Sequence, residues 1–187
     1  IADQTLFEGD AWRWIMEPCS GSGTLHLIGL WSDGNVHSHL NHANAMLERA
    51  LSQGANRVRL HLLLDGRDVG ETSALEYVLP LEERIAALRA QGYDVEVASA
   101  GGRMTTTMDR YDADWAMVER GWSYHVLGQG RGFPSLSEAI ETIRREQPGV
   151  IDQNLPGFII DKGEGPVGTI EDGDAVIFFN FRGDRAI

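Results

Sequence analysis

The chain has 187 residues, with 16 lysines and arginines against 28 aspartates and glutamates, which gives a formal net charge of −12. This acidic balance argues against a general nucleic-acid or anionic-membrane surface, because both need a basic footprint. The length is ample for a hydrophobic core, and no apolar run approaches the roughly 20 residues that span a bilayer. The single cysteine, Cys19, cannot form an intramolecular disulfide, so we expect a reducing, cytoplasmic setting.

The two ends of the chain predict a fragment of a longer protein. The chain opens on Ile1 without a methionine and stops at Ile187, directly after an apolar strand-like run. Residues 1–23 are interpreted as an N-terminal connecting segment, in which Trp12 and Trp14 pack on something and the small residues 20–23 form a flexible link. Residues 24–187 are expected to form the functional domain, incomplete at its C-terminus.

Strand-like and helix-like segments alternate from Thr24 onward. Such alternation with short turns predicts an α/β fold, with a mainly parallel open sheet and helices on both faces. Capping boxes at Ser73 and Ser135 predict two helix starts, and Pro80 predicts a kink or a split in the first of these helices. The predicted strands are 25–31, 58–64, 93–99, 158–161 and 175–181, and the predicted helices are 39–53, 73–90, 111–120 and 135–146.

Charged and polar side chains follow four of the predicted strands at the points where the strands end. Ligands bind outside the carboxyl ends of strands in an open parallel sheet, so we expect one shared site there. Arginine supplies every cation except Lys162, and its planar fork matches carboxylate and phosphate. The edge is therefore predicted to bind a small anion that carries both groups. The residues concerned are Asp33, His37 and His39, then Asp65, Arg67 and Asp68, then Arg103, Asp109 and Arg110, and finally Asn180, Arg182, Asp184 and Arg185.

Asp68 would lie among these cations. A carboxylate in such surroundings stays ionised and can accept a proton from a substrate hydroxyl. The residues alone leave an ordinary structural role open, in which Asp68 pairs with Arg67 or caps the following turn.

Two other functions remain open at this stage. His37, His39 and His42 lie within six positions, with Asp33 nearby, which is the residue pattern of a metal-dependent hydrolase. The metal signal is weak, because His39 and His42 lie at the start of a predicted amphipathic helix, a position that favours solvent-facing side chains. A non-catalytic module that binds phosphorylated metabolites would also fit the arginines. Two further histidines, His61 within an apolar strand and His125 near a short one, are expected to be hydrogen-bonded residues of the core or the sheet edge.

Four stretches stand out in order along the chain, namely residues 25–38, 65–69, 102–111 and 172–185. They resemble the cofactor-independent (2,3-bisphosphoglycerate-independent) phosphoglycerate mutases, and the resemblance covers essentially the whole chain. The spacing of the third stretch is most similar to the plant and trypanosomatid branch. Trp31 stands where the family more often has a smaller aliphatic residue, and Asn35 where glycine is usual, although asparagine tolerates left-handed backbone.

The resemblance implies a two-domain enzyme, of which this chain forms most of the inserted phosphotransferase domain. Such an enzyme interconverts 3-phosphoglycerate and 2-phosphoglycerate through a phosphoserine on a phosphatase-like domain that also holds two manganese ions. Both the serine and the metal ligands would lie outside this chain, so we expect no metal here and no activity of the chain alone. The resemblance also implies that the enzyme does not need 2,3-bisphosphoglycerate. The expected partners are the substrate and the missing domain, in a monomer. By resemblance, Asp68 is the acid/base residue, and the substrate-binding residues are His37, Arg67, Asp68, Arg103, Arg110, Arg182 and Arg185.

Overall fold

The computed structural model describes residues 5–108 and 114–183. In this part of the chain six strands form one sheet, in the order β4-β5-β3-β2-β1-β6. The strands are β1 (Leu25–Leu30), β2 (Arg57–Leu64), β3 (Asp94–Gly102), β4 (Gly132–Phe133), β5 (Phe158–Ile160) and β6 (Ala175–Phe178). The helices are α1 (Asp10–Cys19), α2 (Leu40–Ser52), α3 (Ala74–Ala90), α4 (Arg103–Thr106), α5 (Trp115–His125) and α6 (Leu136–Glu146), with 3-10 turns at Thr5–Glu8 and Asp152–Asn154.

The pairing of the strands confirms the predicted α/β fold with a mainly parallel sheet. Strand β1 pairs in parallel with β2 and β6, and β2 pairs in parallel with β3. Strand β5 runs antiparallel to β3. Every residue of β1 is buried, which requires cover on both faces of the sheet at that strand. Because β1, β2, β3 and β6 run in the same direction, all four end at one edge, which we call the carboxyl edge.

The main hydrophobic core lies on one face of the sheet. Leu25 and Leu27 of β1 pack there beside Leu60 and Leu62 of β2, against apolar side chains of α2, α3 and α6. All four leucines are at most 1% exposed, and full burial of one leucine contributes about 1.5–3 kcal/mol. This core fixes the relative positions of the strands whose ends form the carboxyl edge. No helix in the described ranges is both long and apolar enough to cross a membrane.

Helix α3 differs from its prediction at the cap and is not split at Pro80. Ser73 does not cap the helix, since its hydroxyl donates to the Gly70 carbonyl at 2.8 Å. The backbone N–H of Ala74 donates instead to the buried carboxylate of Asp152 at 2.8 Å. At Pro80, where a kink or a split was expected, the helix is not split, because it runs from Ala74 to Ala90. We attribute this continuity to the buried residues on either side of Pro80, which hold the helix on the sheet despite the missing N–H.

Other helix boundaries agree more closely with the sequence. The Ser135 hydroxyl accepts a hydrogen bond from the backbone N–H of Glu138 at 3.2 Å, which confirms the predicted cap of α6. Helix α5 begins at Trp115 and reaches His125, whereas a helix over 111–120 was predicted. The start of that prediction, Tyr111, lies outside the described residues.

The N-terminal region contains a helix where a connecting segment was expected. Trp12, Met16 and Cys19 of α1 are buried in the main core, and the Trp12 indole N–H donates to the Gln53 side chain at 2.8 Å. Trp12 thus packs within this chain, as a tryptophan in this segment was expected to do, whereas Trp14 remains 74% exposed. Burial, aided by the nearby carboxylate of Asp174, raises the pKa of the Cys19 thiol to about 11.

Candidate functional site

The turn after β2 is organised by a buried carboxylate. One oxygen of Asp65 accepts hydrogen bonds from the backbone N–H groups of Arg67 and Asp68, at 3.3 and 3.0 Å. Its other oxygen accepts from the Ser32 hydroxyl, in the loop after β1, at 2.6 Å. Asp65 was expected at this edge but without this role, and Ser32 was not among the predicted site residues. The available signal was the Asp-Gly-Arg-Asp turn, because aspartate commonly hydrogen-bonds its own backbone two residues ahead.

Arg103, the first residue of α4, directly follows β3. Its fully buried side chain contacts this turn. Its Nη1 atom lies 2.7 Å from the Asp65 carboxylate and 2.6 Å from the Asp68 carboxylate. Among the residues that the structure describes, the Nε and Nη2 atoms of Arg103 are buried without a hydrogen-bond partner. An unsatisfied buried donor costs about 1–3 kcal/mol, more when charged, so an anion that accepted from these atoms would be favoured. The two unpaired donors form a fork whose geometry matches one carboxylate or phosphate group.

Asp68 is held beside the loop that follows β1. Its side chain is 15% exposed and forms its ion pair with Arg103. The loop approaches so closely that a Cβ atom on Gly34 would lie 2.9 Å from the Asp68 Cβ atom. Asn35, the next residue, adopts the left-handed backbone (φ 55°) that asparagine tolerates. A partly accessible carboxylate in a fixed position can exchange a proton with a bound hydroxyl group.

The loop after β6 reaches the same edge and is tied to the loop after β1. The backbone N–H of Phe181 donates to the carbonyl of the buried His37 at 2.8 Å. Within the β6 loop, the Asn180 side-chain amide donates to the Arg182 carbonyl. The ring of Phe179 covers Gly29 of β1, where a Cβ atom would come within 2.6 Å of it. These contacts bring exposed Arg182 to the carboxyl edge.

Five of the predicted substrate-binding residues thus follow strands that end at the carboxyl edge. Asp68 and Arg103 are in direct contact, His37 is buried, and the side chains of Arg67 and Arg182 are exposed. Fixed and exposed cations together suit an anion that enters from solvent. The other candidates Arg110 and Arg185 lie outside the described residues, as do Asp109 and Asp184.

Two residues of the possible metal site, His39 and Asp33, have other partners. His39 caps α2, and its Nδ1 atom accepts from the backbone N–H of Asn41 at 3.1 Å. Asp33 accepts from the Tyr77 hydroxyl at 2.7 Å, and this bond, with burial, raises the pKa of Tyr77 to about 12. Burial, then the neighbouring His39, lowers the pKa of His42. In residues 5–108 and 114–183 no three histidine, cysteine or carboxylate side chains are grouped to hold a metal ion. The geometry therefore does not favour the metal-dependent hydrolase.

Comparison with known proteins gives matches over the whole chain. The family model described as BPG-independent PGAM N-terminus matches residues 1–187. A probable 2,3-bisphosphoglycerate-independent phosphoglycerate mutase of Leptospira interrogans is 55% identical over 188 residues, which is 100% of this chain and 34% of the relative. The 2,3-bisphosphoglycerate-independent phosphoglycerate mutase of Trypanosoma brucei brucei is 50% identical over 97% of this chain and 33% of its own length.

A solved structure agrees with these matches. A crystal structure of Leishmania mexicana phosphoglycerate mutase at low cobalt concentration has a TM-score of 0.95 and 50% identity, over 98% of this chain and 34% of that one. The chain thus spans about one third of the length of the relatives it matches. Since the family model covers all 187 residues, the chain belongs to the 2,3-bisphosphoglycerate-independent phosphoglycerate mutase family, in the part that the model describes as the N-terminus.

Proposed function

We propose that this chain is the substrate-holding phosphotransferase part of an enzyme that interconverts 3-phosphoglycerate and 2-phosphoglycerate. The observation that carries the proposal is the buried Arg103, which has two unsatisfied donors beside Asp68 at the carboxyl edge. Phosphoglycerate carries a phosphate, a carboxylate and a hydroxyl, which are the groups that this edge can bind. Residues 24–187 would form most of this domain, and residues 1–23 would connect it to the rest of the enzyme.

The arginines would orient the substrate. The buried fork of Arg103 would hold one anionic group in a fixed direction, and the exposed Arg67 and Arg182 would bind the other as it enters from solvent. Arg110 and Arg185 complete the proposed set by resemblance, together with His37. Arg67 and Arg182 are exposed cations at one edge of an acidic protein, so they would attract a small dianion to that edge.

Asp68 would serve as the proton carrier of the two phosphoryl transfers. When the phosphoryl group leaves the substrate for a serine on the rest of the enzyme, the glycerate oxygen left behind needs a proton. When the second hydroxyl then attacks the phosphoserine, that hydroxyl gives up a proton. The ionised Asp68 carboxylate would balance the two steps if it reaches both oxygens. It accepts the proton of the hydroxyl that attacks and gives that proton to the oxygen that the phosphoryl group left, so it ends ionised again.

The serine nucleophile and two manganese ions are proposed to belong to the rest of the enzyme. The metal would activate the serine oxygen and neutralise charge on the transferring phosphoryl group. The described residues contain no cluster of three histidine, cysteine or carboxylate side chains that could hold a metal ion. We further infer a cytoplasmic, monomeric enzyme that needs no 2,3-bisphosphoglycerate. The single cysteine and the acidic surface support the cytoplasmic location, and size-exclusion chromatography of the full-length enzyme would test the monomer.

The isolated 187-residue chain is expected to bind phosphoglycerate weakly and to show no mutase turnover, since the proposed nucleophile lies elsewhere. An enolase-coupled assay on the purified chain measures this, with the full-length enzyme as the positive control. Turnover by the chain at the rate of the full-length enzyme would overturn the proposed division of roles. Binding without turnover by the full-length enzyme would favour the non-catalytic phosphometabolite-binding module instead.

Removal of either exposed arginine should weaken substrate binding. Arg67→Ala and Arg182→Ala are each expected to raise the dissociation constant of 3-phosphoglycerate about tenfold or more, because a hydrogen bond to a charged group contributes about 1.5–3 kcal/mol. Isothermal titration calorimetry on the full-length enzyme gives the constants. Arg57→Ala is the matched control, since it removes an exposed arginine at the start of β2, at the opposite edge of the sheet. Unchanged affinity in both edge variants would contradict a shared site.

A further inference from the structure

A chain of five hydrogen bonds crosses the face of the sheet opposite the main core. It begins at the carboxylate of Asp174, just before β6, and ends at the hydroxyl of Thr107, just after α4. Between these ends it passes through side chains of β1, β2, β3 and α5. Its members, which we call the histidine chain, are Asp174, His26, His61, Ser99, His125 and Thr107. The successive distances are 3.2 Å (Asp174 Oδ2 to His26 Nε2), 2.9 Å (His26 Nδ1 to His61 Nε2), 2.7 Å (His61 Nδ1 to Ser99 Oγ), 2.7 Å (Ser99 Oγ to His125 Nδ1) and 3.0 Å (His125 Nε2 to Thr107 Oγ1).

The middle of the histidine chain is closed to water and depends on a local irregularity of the sheet. His26, His61 and Ser99 are fully buried, and His125 is 4% exposed. The register between β2 and β3 shifts after Leu60, so that Ser99, and not Ala98, lies opposite His61. Bulges of this kind re-aim side chains. The shift therefore supplies the hydroxyl that joins the two histidines.

One carboxylate sets the direction of every bond in the histidine chain. Burial opposes the ionised form of Asp174, but hydrogen bonds from the backbone N–H groups of Thr24 and Glu171 and from His26 lower its pKa, so it accepts from His26 Nε2. Neutral His26 must then accept at Nδ1 from His61 Nε2, and neutral His61 must accept at Nδ1 from Ser99. Ser99 in turn accepts from His125 Nδ1, which leaves His125 Nε2 to accept from the Thr107 hydroxyl.

The three imidazoles of the histidine chain, those of His26, His61 and His125, are neutral at pH 7. Burial lowers the pKa of His26 against the opposing effect of Asp174, and burial lowers the pKa of His125 to about 4. Burial, then the neighbouring histidines and Arg59, lowers the pKa of His61 well below its ordinary value. Neutral imidazoles have one donor and one acceptor each, which is the condition for a chain with a single direction.

The end of the histidine chain lies within the substrate-binding region. Thr107 follows α4, the helix that begins with Arg103, and the backbone N–H of Met108 donates to the Arg103 carbonyl at 3.0 Å. Helix α5 packs closely on this segment, since a Cβ atom on Gly121 would lie 2.0 Å from the Thr106 carbonyl oxygen. The bond between His125 and Thr107 thus ties α5 to the segment that starts at Arg103.

We propose that His125 and Thr107 are positioning residues for phosphoglycerate binding. The histidine chain fixes the His125 ring, the ring fixes the Thr107 hydroxyl, and the hydroxyl holds the segment from Arg103 to Met108 in its binding orientation. Neither residue needs to touch the substrate. The inference rests on the proposed function, because it assigns the role within that same site.

Thr107→Val in the full-length enzyme removes the hydroxyl with little change of volume. A net hydrogen bond contributes about 1 kcal/mol, so the KM for 3-phosphoglycerate is expected to rise about fivefold while kcat stays within about twofold. Thr107→Ser keeps the hydroxyl and should restore the wild-type KM. Thr142→Val, on the distant α6, is the matched control and should leave KM unchanged. Ser99→Ala removes the hydroxyl in the middle of the histidine chain and should also raise the KM for 3-phosphoglycerate.

An unchanged KM in Thr107→Val and Ser99→Ala would overturn the inference, as would a raised KM that Thr107→Ser fails to restore. An active wild-type enzyme with these results leaves the proposed function standing. A wild-type enzyme without turnover would instead contradict the proposed function, and the dissociation constant of 3-phosphoglycerate, measured by calorimetry on the same variants, then decides on the positioning role.

Discussion

Asp68→Asn in the full-length enzyme is expected to lower kcat by about 10²- to 10⁴-fold, the range in which a positioned proton carrier contributes. The asparagine keeps the shape of the side chain, and its Oδ1 atom can still accept from Arg103. It cannot carry a proton between the two glycerate oxygens. The KM for 3-phosphoglycerate should change much less than kcat, and steady-state kinetics in the enolase-coupled assay separates the two.

Asp94→Asn is the control for this experiment. Asp94 is the first residue of β3, at the opposite edge of the sheet, and forms ion pairs with Arg57 and Arg59. The same chemical change there should leave kcat near the wild-type value. A kcat for Asp68→Asn equal to that of Asp94→Asn would show that Asp68 only supports Arg103, which is the ordinary structural role of an ion-paired carboxylate.

Arg103→Met should produce the largest loss of stability among the site variants. The substitution leaves the Asp65 carboxylate, which is 1% exposed, without its cation. Removal of one partner of a buried ion pair typically costs about 3–5 kcal/mol, because the other charge remains buried and uncompensated. Urea denaturation of the chain, followed by circular dichroism, gives the free energy of unfolding.

Two further variants separate the charge effect from the loss of packing. Arg131→Met removes an arginine from an exposed pair with Glu146 and should change stability little. Adding Asp65→Asn to Arg103→Met neutralises the stranded carboxylate and should recover part of the lost stability. If Arg103→Met is no more destabilising than Arg131→Met, the buried pair does not organise the carboxyl edge.

The sequence predicted the carboxyl edge correctly because strand direction follows from the alternation of strands and helices. Local signals were also reliable where their partners were local, as in the cap that Ser135 gives to α6. The same motif failed at Ser73, where Asp152, 78 residues away from Ala74, supplies the cap instead. No pattern within a few residues can report a competitor that far along the chain.

The ion pairs within the site could not be predicted from the sequence for a similar reason. Asp65, Asp68 and Arg103 were each expected at the edge, but which carboxylate meets which arginine depends on how the turns fold over one another. The link between His61 and Ser99 needs the one-residue register shift in β3. A strand pattern with a period of two gives the faces of a regular strand and does not show where that period slips.

The buried neutral imidazoles also make unfolding of this chain a proton-consuming reaction. In the unfolded chain His125 titrates near 6.5, whereas in the folded chain its pKa is about 4, so between these values the unfolded state binds more protons. The free energy of unfolding is therefore unaffected by His125 above about pH 6.5 and falls as the pH drops towards about 4, by about 3 kcal/mol in all. His26 and His61, whose pKa values are also lowered, act in the same direction. The polar chain that orders one face of the sheet thereby gives the domain a limited tolerance to acid.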